Sequence, residues 1–360
     1  MIRSILSLIY SLVVRARLLL YTSGLKKTRH LKGPVISIGN ITLGGTGKTP
    51  FTIYFAKKLK NEGFSPAVLS RGYRGSAEKM NLLVSNGREL LCSAEESGDE
   101  PRLMAEKLPG IKVAVGANRF KSARLCQQDK SPETNIFILD DGFQHIQLKR
   151  DLDIVLIDAT NPFGGEMLVP SGILREPLSS LVRADAFVIT RCHLSEDTEE
   201  ISRRLRAFNP SAPIFPFKHR ITTLTPVDFI PTEPSVPDLA AEELNAKRAL
   251  VLAAIGNPLQ FLQDLEDLGL TIAGTILKRD HHPYTQGDID AAVDEFRRSG
   301  ADFIVTSEKD EIRIRHLDPA GAPFFSAVLE VNSDRENDFS AWILARLNGH
   351  CTTGRGRQPG

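Results

Sequence analysis

The sequence predicts an α/β fold in which two sheet-based domains follow an N-terminal amphipathic helix. Short apolar runs alternate with helix-like segments along most of the 360 residues, a pattern that indicates parallel sheets covered by helices on both faces. One proline-rich stretch interrupts this alternation and separates a larger first domain from a smaller second one. Apolar residues among the first twenty recur with helical spacing, which predicts the N-terminal helix.

The predicted strands are short apolar runs enriched in β-branched residues. They occupy residues 34–38, 67–70, 112–115, 136–139, 153–157 and 186–190 in the first domain, and 249–254 and 302–306 in the second. The predicted helices lie near residues 51–56, 99–108, 118–128, 197–207, 258–268 and 287–298. Strands that alternate with helices in this way form βαβ units with parallel strands.

The domain limits follow from composition. Four prolines between residues 226 and 237 break the alternation, so we place a domain boundary near residue 220. We predict a helix and basic segment at 1–30, the first domain at 31–220, the second domain at 221–349 and a disordered tail at 350–360. Cysteines at 92, 126, 192 and 351 lie far apart without a C-x-x-C pair, which favours reduced thiols in a cytosol.

The N-terminal segment is cationic. Eleven lysines and arginines, from Arg3 to Lys60, precede the first acidic residue, Glu62. The uncharged run 4–14 ends at Arg15, short of the roughly 20 apolar residues that a membrane span needs. We therefore expect a helix in the membrane interface, with its apolar face inserted and its basic residues near anionic head groups. A soluble helix packed on the core is the alternative.

A glycine-rich loop at residues 39–50, Gly-Asn-Ile-Thr-Leu-Gly-Gly-Thr-Gly-Lys-Thr-Pro, separates the first strand from the first helix of the sheet. Closely spaced glycines let backbone N–H groups point at one anion, with the positive end of the next helix behind them. This arrangement predicts a P-loop, in which Lys48 binds the β and γ phosphates of ATP and Thr49 binds Mg²⁺. The other expected nucleotide contacts are Thr42, Leu43, Gly44, Gly45, Thr46 and Gly47.

The general P-loop pattern has glycine at the position of Thr42. The combination of strand, loop and helix nevertheless predicts that the first domain is a P-loop-containing nucleoside triphosphate hydrolase-like parallel sheet. Asp140 and Asp141 follow the strand at 136–139 directly. Because carboxyl ends of parallel strands open onto the ligand crevice, we expect both carboxylates beside the P-loop, where they suit Mg²⁺.

Further polar clusters lie in predicted loops at 71–75, 97–101, 170–177 and 280–284. Spacing alone favours Asp99 as a helix N-cap. Arg175 and Glu176 suit a surface ion pair. The cluster that contains His281 suits either a solvated loop or a base with its orienting partner, and Lys309 beside Asp310 is equally ambiguous.

Taken together, the clusters resemble those of one family, the tetraacyldisaccharide 4'-kinases of lipid A biosynthesis. The resemblance rests on residues 39–50, 71–73, 98–101, 140–145, 170–177, 256–261 and 280–281. The set covers residues 1 to about 310 in order, and Thr42 matches this family's own variant of the loop. The ordered set is specific, although no single short motif in it is decisive.

The resemblance implies a bacterial kinase, peripheral on the cytoplasmic face of the inner membrane. It implies that MgATP phosphorylates the 4'-hydroxyl of a lipid-linked tetraacyl glucosamine disaccharide 1-phosphate, which yields the bisphosphorylated lipid A precursor. The expected partners are this lipid substrate and the membrane surface, and we expect no nucleic acid. The amphipathic N-terminus fits a substrate whose acyl chains stay in the bilayer.

The resemblance also implies roles for individual residues. Asp99 becomes the candidate base for the sugar hydroxyl, with His281 as its partner. Lys48 and Arg175 are assigned to phosphoryl transfer, and the implied metal-site residues are Asp140, Asp141 and Glu176. Weaker assignments, as substrate-binding or supporting groups, are Tyr73, Gln144 and His145.

Two rival classes are a nucleotide-dependent switch, either an ATPase or a GTPase, and a non-catalytic nucleotide-binding scaffold. A membrane-associated switch ATPase of the partition type carries a signature lysine where this chain has Leu43. A GTPase is disfavoured as well, because the chain has no Asn-Lys-x-Asp motif. A non-catalytic nucleotide-binding scaffold would not need Asp99, Asp141 and Arg175 together.

Overall fold

The computed structural model describes residues 2–353 apart from Arg74, Ala77, Ser131, Glu196, 230–237 and 241–242. Within these ranges the chain forms one sheet of eight strands and one of six. Helices flank both sheets, and a separate helix, α1 (Ile2–Thr22), stands at the N-terminus. The predicted α/β class is confirmed.

The first sheet carries the P-loop. Its strands are β1 (Val35–Gly39), β2 (Pro66–Ser70), β3 (Leu82–Ser85), β4 (Lys112–Val115), β5 (Ile136–Asp140), β6 (Leu152–Asp158), β7 (Ala186–Thr190) and β8 (Ile214–Pro216). Their spatial order is β3-β4-β2-β5-β1-β6-β7-β8. Neighbouring strands are parallel except for β3, which runs antiparallel to β4 at the edge. Because β1 lies between β5 and β6, the carboxyl ends of these three strands share one crevice.

The helices of this half are α2 (Lys48–Asn61), α3 (Ala94–Ser97), α4 (Asp99–Lys107), α5 (Arg119–Gln128) and α6 (Thr198–Phe208), with short 3-10 turns at Gly164–Glu166, Leu178–Arg183 and Cys192–Leu194. Strands β2 and β4 to β7 and helices α4, α5 and α6 lie within about two residues of their predicted bounds. The sequence analysis missed the edge strands β3 and β8, which are short and only partly buried.

The second sheet contains β9 (Lys218–Pro226), β10 (Leu239–Ala240), β11 (Arg248–Ala253), β12 (Thr271–Leu277), β13 (Phe303–Ser307) and β14 (Phe324–Asn332). Their order is β10-β9-β14-β13-β11-β12, with β9 antiparallel to both of its neighbours. The helices of this half are α7 (Pro258–Asp267), α8 (Gln286–Ser299) and α9 (Glu308–Ile314). Strands β9, β10, β12 and β14 and helix α9 are additions to the predicted set.

The last helix, α10 (Glu336–Thr353), returns to the first half of the chain. Its residues Phe339, Ile343 and Leu347 are buried in the core that also contains Phe51 and Phe55 of α2. Thus a helix within the range predicted for the second domain packs on the first sheet. The first residues of the predicted tail, 350–353, lie in α10, and 354–360 lie outside the described residues.

Helix α1 has no fully buried residue. It is long and apolar enough to cross a membrane by length and composition, a test that some core helices and signal sequences also pass. Its large apolar side chains are exposed, with Leu8 63% and Leu12 61% exposed. These exposures disagree with the alternative of a soluble helix packed on the core through its apolar residues.

Candidate active site

The P-loop connects the end of β1 to the start of α2. Gly47 precedes the helix with φ 77°, and a Cβ there would lie 2.7 Å from Nε2 of His219, so only glycine fits. Gly44 and Gly45 have open space in front of them. The loop therefore presents accessible backbone at the N-terminus of α2, the kind of position that suits a phosphate.

Asn40 organises the loop from inside. Its buried amide group donates to the Thr42 carbonyl at 2.9 Å and to the Thr46 hydroxyl at 2.9 Å. Its amide oxygen accepts from Lys48 Nζ at 3.3 Å. Thr42 pairs with Leu174 in an antiparallel bridge, so the residue that departs from the general pattern joins the loop to a neighbouring segment.

The back of the loop is held by both sheets. The Thr190 hydroxyl at the end of β7 donates to the Thr46 carbonyl at 3.1 Å, and Arg191 donates to the Gly45 carbonyl at 3.0 Å. His219, on β9 of the second sheet, is buried behind Gly47. Burial, with a smaller contribution from Arg191, lowers the pKa of His219 to about 3, so the ring is neutral. Sequence reasoning missed these supports, because they come from distant segments.

Asp141 lies between two cations. Its carboxylate accepts from Arg175 Nη1 at 2.7 and 2.8 Å and lies 3.7 Å from Lys48 Nζ. Desolvation opposes its charge, but Lys48 and Arg175 together lower the pKa of Asp141 below its ordinary value. The structure thus brings three predicted site residues to one point.

Asp140, the last residue of β5, is buried and accepts hydrogen bonds from Ser70 at 2.8 Å and Thr52 at 3.2 Å. Desolvation and the nearby charges of Glu100 and Asp141 raise the pKa of Asp140 to about 6. Among the described residues, no three His, Cys, Asp or Glu side chains form a metal cluster. A cation here would therefore rely on these two carboxylates with non-protein ligands, as Mg²⁺ commonly does.

Arg175 is placed by a backbone pairing with the P-loop. Its amide donates to the Ile41 carbonyl at 2.7 Å, and Leu43 donates to the Ile173 carbonyl at 2.7 Å. Glu176, the third residue of the implied metal site, follows Arg175 in the chain and is buried. Its buried carboxylate accepts from Arg183 at 2.6 Å, so it is already neutralised by a guanidinium.

Asp99 meets the second half of the chain. It is the first residue of α4, behind the N-cap Gly98, and its side chain makes no capping bond, so the N-cap prediction from spacing is wrong. Instead, Asp99 Oδ2 lies 3.3 Å from His281 Nδ1. Arg313 of α9 donates to the same oxygen from Nε at 2.9 Å and more closely from Nη2.

His281 is oriented from its other side. Lys309 Nζ lies 3.1 Å from His281 Nε2. Because an ammonium group only donates, Nε2 is placed to accept from Lys309, while Nδ1 lies between Asp99 Oδ2 at 3.3 Å and Arg313 Nη2 at 3.0 Å. Desolvation favours the neutral form of Asp99, but hydrogen bonds from His281 and Arg313 lower its pKa to about 2. Sequence reasoning missed Arg313, because no motif marks it, and left Lys309 ambiguous.

Of the remaining predicted residues, Gln144 contacts the P-loop and Tyr73 lies near His281. Gln144 belongs to the P-loop, since it donates to the Asn40 carbonyl at 2.9 Å. Tyr73 is exposed and its ring centroid lies 6.2 Å from that of His281. Burial, followed by nearby arginines, lowers the pKa of His145 to about 3. The structure gives that ring no side-chain hydrogen bond among the described residues.

The site and the chain resemble known proteins. A model of the family described as tetraacyldisaccharide-1-P 4'-kinase matches residues 1–348. The tetraacyldisaccharide 4'-kinase of Halothermothrix orenii is 41% identical over 323 residues, which is 88% of this chain and 83% of that protein. That of Geobacter metallireducens is 37% identical, with 91% and 93% covered. The crystal structure of LpxK from Aquifex aeolicus in complex with ATP matches with a TM-score of 0.75 and 32% identity, over 96% of this chain and 100% of that one.

Proposed function

The chain belongs to the tetraacyldisaccharide 4'-kinase family, and from this premise we propose which of its residues transfer phosphate and where they do so. The enzyme phosphorylates the 4'-hydroxyl of a tetraacyl glucosamine disaccharide 1-phosphate with ATP, the step of lipid A biosynthesis that forms lipid IVA. The roles of single residues, the metal and the membrane location form the proposal.

The convergence of Lys48, Arg175 and Asp141 carries the proposed nucleotide site. Two cations within 4 Å of one carboxylate, beside open backbone at a helix N-terminus, suit the crowded charge of a triphosphate. Phosphoryl transfer asks chiefly for positioning and charge neutralisation. Lys48 and Arg175 supply both when phosphate oxygens accept their hydrogen bonds.

We assign Thr49, Asp140 and Asp141 to a Mg²⁺ ion. Magnesium sites commonly use one or two carboxylates, completed by water and substrate phosphates. Burial, followed by the charges of Glu100 and Asp141, raises the pKa of Asp140, and a bound cation would offset the part that comes from these neighbouring carboxylates. When bound, Mg²⁺ supplies positive charge that offsets the developing charge of the phosphoryl group.

Asp99 is assigned as the general base. All its hydrogen bonds among the described residues end on Oδ2, which leaves Oδ1 to accept the proton of the 4'-hydroxyl. As the hydroxyl oxygen bonds to the γ-phosphorus, the bond from that phosphorus to the bridging oxygen breaks, and ADP leaves. His281 and Arg313 hold the carboxylate during the transfer.

We place the enzyme on the cytoplasmic face of the inner membrane, bound there through α1. The exposed apolar side chains of the helix and the surplus of lysine and arginine in the first sixty residues support this placement. The need for ATP, which the cytoplasm supplies, also favours this face of the membrane. The lipid's acyl chains then remain in the bilayer while its sugar head group enters the site.

The nucleotide assignment is tested with Lys48→Ala. Loss of the ammonium leaves transition-state charge uncompensated, so turnover should fall by at least about 10²-fold. The measurement is transfer of labelled γ-phosphate to the disaccharide lipid at saturating ATP and lipid. Lys57→Ala, an exposed lysine of the same helix, is the control and should stay near wild type. Near-normal turnover of the Lys48 variant would remove this lysine from the proposal.

The metal assignment is tested with Asp141→Asn. The amide keeps the shape of the side chain but loses its charge, so half-maximal activity should require at least about tenfold more Mg²⁺. A Mg²⁺ titration of turnover measures this change. Glu166→Gln is the comparison, because Glu166 is exposed, pairs with Arg204 and should leave the titration midpoint in place. An unchanged midpoint in the Asp141 variant contradicts the assignment.

A further inference from the structure

Helix α1 presents two different faces. Its outward face carries exposed apolar residues, among them Leu8 and Leu12. Ser7, Tyr10 and Val14 lie on the other face and are half-buried, at the three- to four-residue spacing of one helix side. The outward face explains membrane binding, and the inner face requires a separate explanation.

The inner face bonds to the segment that holds Arg175, which we call the arginine loop (residues 167–177). The Ser7 hydroxyl donates to the Leu168 carbonyl at 3.0 Å and accepts from the Ser171 amide at 3.0 Å. The Tyr10 hydroxyl donates to the carbonyl of Arg175 itself at 2.9 Å. These contacts join positions more than 160 residues apart.

The Tyr10 bond completes the support of Arg175. The amide of Arg175 is held by the Ile41 carbonyl, at the entrance to the P-loop. Its carbonyl is held by Tyr10, and its guanidinium reaches Asp141 at 2.7 Å. Arg175 is thus held through its amide, its carbonyl and its side chain. The contact to the carbonyl comes from α1.

A second residue of α1, Arg17, also contacts a segment beside the P-loop. Arg17, two turns after Tyr10, donates to the Gln144 carbonyl at 3.2 Å. The Gln144 amide donates to the Asn40 carbonyl, and Asn40 accepts from Lys48. Helix α1 therefore contacts both segments that position the cations of the phosphoryl-transfer site.

We propose that Tyr10 is a positioning residue for phosphoryl transfer, which acts through Arg175. By holding the Arg175 carbonyl, the Tyr10 hydroxyl keeps the guanidinium aligned with Asp141 and the phosphates. The inference rests on the proposed function of Arg175. The two faces of α1 would then have different roles. The outer face binds the membrane, and the inner face positions Arg175 for turnover.

The test compares two tyrosines of one helix. Tyr10→Phe removes only the hydroxyl and keeps the ring. Tyr21→Phe makes the same change at a hydroxyl that has no hydrogen bond among the described residues. We expect kcat of the Tyr10 variant to fall about three- to tenfold, the scale of one lost hydrogen bond. Its KM for lipid and its binding to anionic vesicles should match wild type, and the Tyr21 variant should match it in every respect.

Two results would overturn the inference. One is a kcat equal to that of the Tyr21 variant. The other is a loss that appears only as weaker vesicle binding or a higher KM for lipid, because this pattern describes a membrane contact. The Tyr10 and Tyr21 variants are also compared in thermal unfolding, where loss of one hydrogen bond should separate their midpoints by no more than roughly 2–4 °C, and a larger drop would indicate a purely structural role.

Whether Tyr10 acts through Arg175 is tested by introducing Tyr10→Phe into an Arg175→Lys variant. If Tyr10 acts through Arg175, adding Tyr10→Phe to this background should change kcat less than twofold, because groups that act as a unit are not additive. Multiplicative losses would show that Tyr10 acts independently. A wild-type kcat for Arg175→Lys alone would instead refute the function proposed for Arg175. An impaired Arg175 variant with a normal Tyr10 variant would refute only the inference about Tyr10.

Discussion

Asp99 is the residue whose surroundings bear most directly on the chemistry. Arg313 and His281 lie against one of its oxygens, with Lys309, Glu100 and Asp310 as the next charged groups. Desolvation is the largest influence and favours the neutral acid, yet the two hydrogen-bond donors lower the pKa of Asp99 to about 2. The carboxylate of Asp99, the proposed base, is therefore ionised throughout the physiological range.

Removing Arg313 should make the enzyme sensitive to mild acid. In Arg313→Gln the pKa of Asp99 rises from about 2 towards its ordinary ~3.9. A carboxylate with a lowered pKa loses its charge only as pH falls through that low value, so the variant loses it at a higher pH. The ratio of variant to wild-type kcat/KM should therefore fall between about pH 6 and pH 4.

Arg315→Gln is the matched control for this profile. Arg315 also joins the two halves of the chain, but its partner is Glu106, at 2.6 Å, and not Asp99. The ratio of kcat/KM of Arg315→Gln to that of the wild type should stay constant with pH. A constant ratio for Arg313→Gln as well would show that Arg313 does not set the pKa of Asp99. The same linkage gives stability that is present above about pH 4 and lost as pH falls towards 2.

At the scale of elements, α1 differs from every other long helix described. The remaining helices of eight or more residues bury an apolar face or contribute to a core cluster, as α2 and α10 do through Phe51 and Phe339. Helix α1 leaves most of its apolar residues exposed and forms its hydrogen bonds to the protein through polar side chains. This inversion is what an interfacial helix requires, because the bilayer covers its apolar side.

The double variant Leu8→Asn/Leu12→Asn should weaken membrane binding. Each leucine loses apolar area that the bilayer would cover, worth about 1.5–3 kcal/mol for full burial, so binding to anionic vesicles should fall at least about tenfold. KM for lipid should rise more than KM for ATP. Added salt should weaken binding of the intact protein, because its basic residues face anionic head groups.

Leu259→Asn gives the control for exposed leucines. Leu259 is exposed on α7 of the second sheet and should leave vesicle binding unchanged. Vesicle sedimentation measures both variants. Equal binding of the double variant and wild type would refute the interfacial role of α1.

At the scale of the molecule, the two sheets meet through helices α4 and α9. Arg313 pairs with Asp99, Arg315 with Glu106 and Lys107 with Glu308. His219 of the second sheet supports the P-loop of the first, and α10 packs on the core around α2. The contacts of Asp99, the proposed base, with His281 and Arg313 therefore depend on how the two halves fit together.

Asp99 and His281 should behave as one unit. We expect Asp99→Ala and His281→Ala each to lower turnover strongly, with little change in ATP affinity. The double variant should cost far less than the product of the single losses, because the histidine acts through the carboxylate. Higher pH should partly restore Asp99→Ala, since hydroxide substitutes for a missing base.

The measurement is a double-mutant cycle on kcat across pH, with lipid saturating. His282→Ala is the control, because the neighbouring histidine lies 3.1 Å from Asp288 rather than beside Asp99. It should retain turnover. Fully multiplicative losses for Asp99 and His281 would show that the two residues act independently.

The sequence by itself determined the features that depend on neighbouring residues. These features are the glycines and Lys48 of the P-loop, the buried strands, and the pair Asp140–Asp141 after β5. They can be predicted locally, because strand burial and loop conformation constrain the types of adjacent residues. The family motifs added Asp99, His281 and Arg175. Their contacts with one another were not part of that pattern.

Only the tertiary structure decided the pairings across the chain. Periodicity shows that a segment buries one face but does not identify the face it meets, so the return of α10 to the first sheet could not be predicted. The pairing of Glu176 with Arg183, the Arg313 contact with Asp99 and the Tyr10 bond to Arg175 are single side-chain contacts. Such contacts depend on packing distances of a few ångströms between elements, and a linear sequence carries no local signal of them.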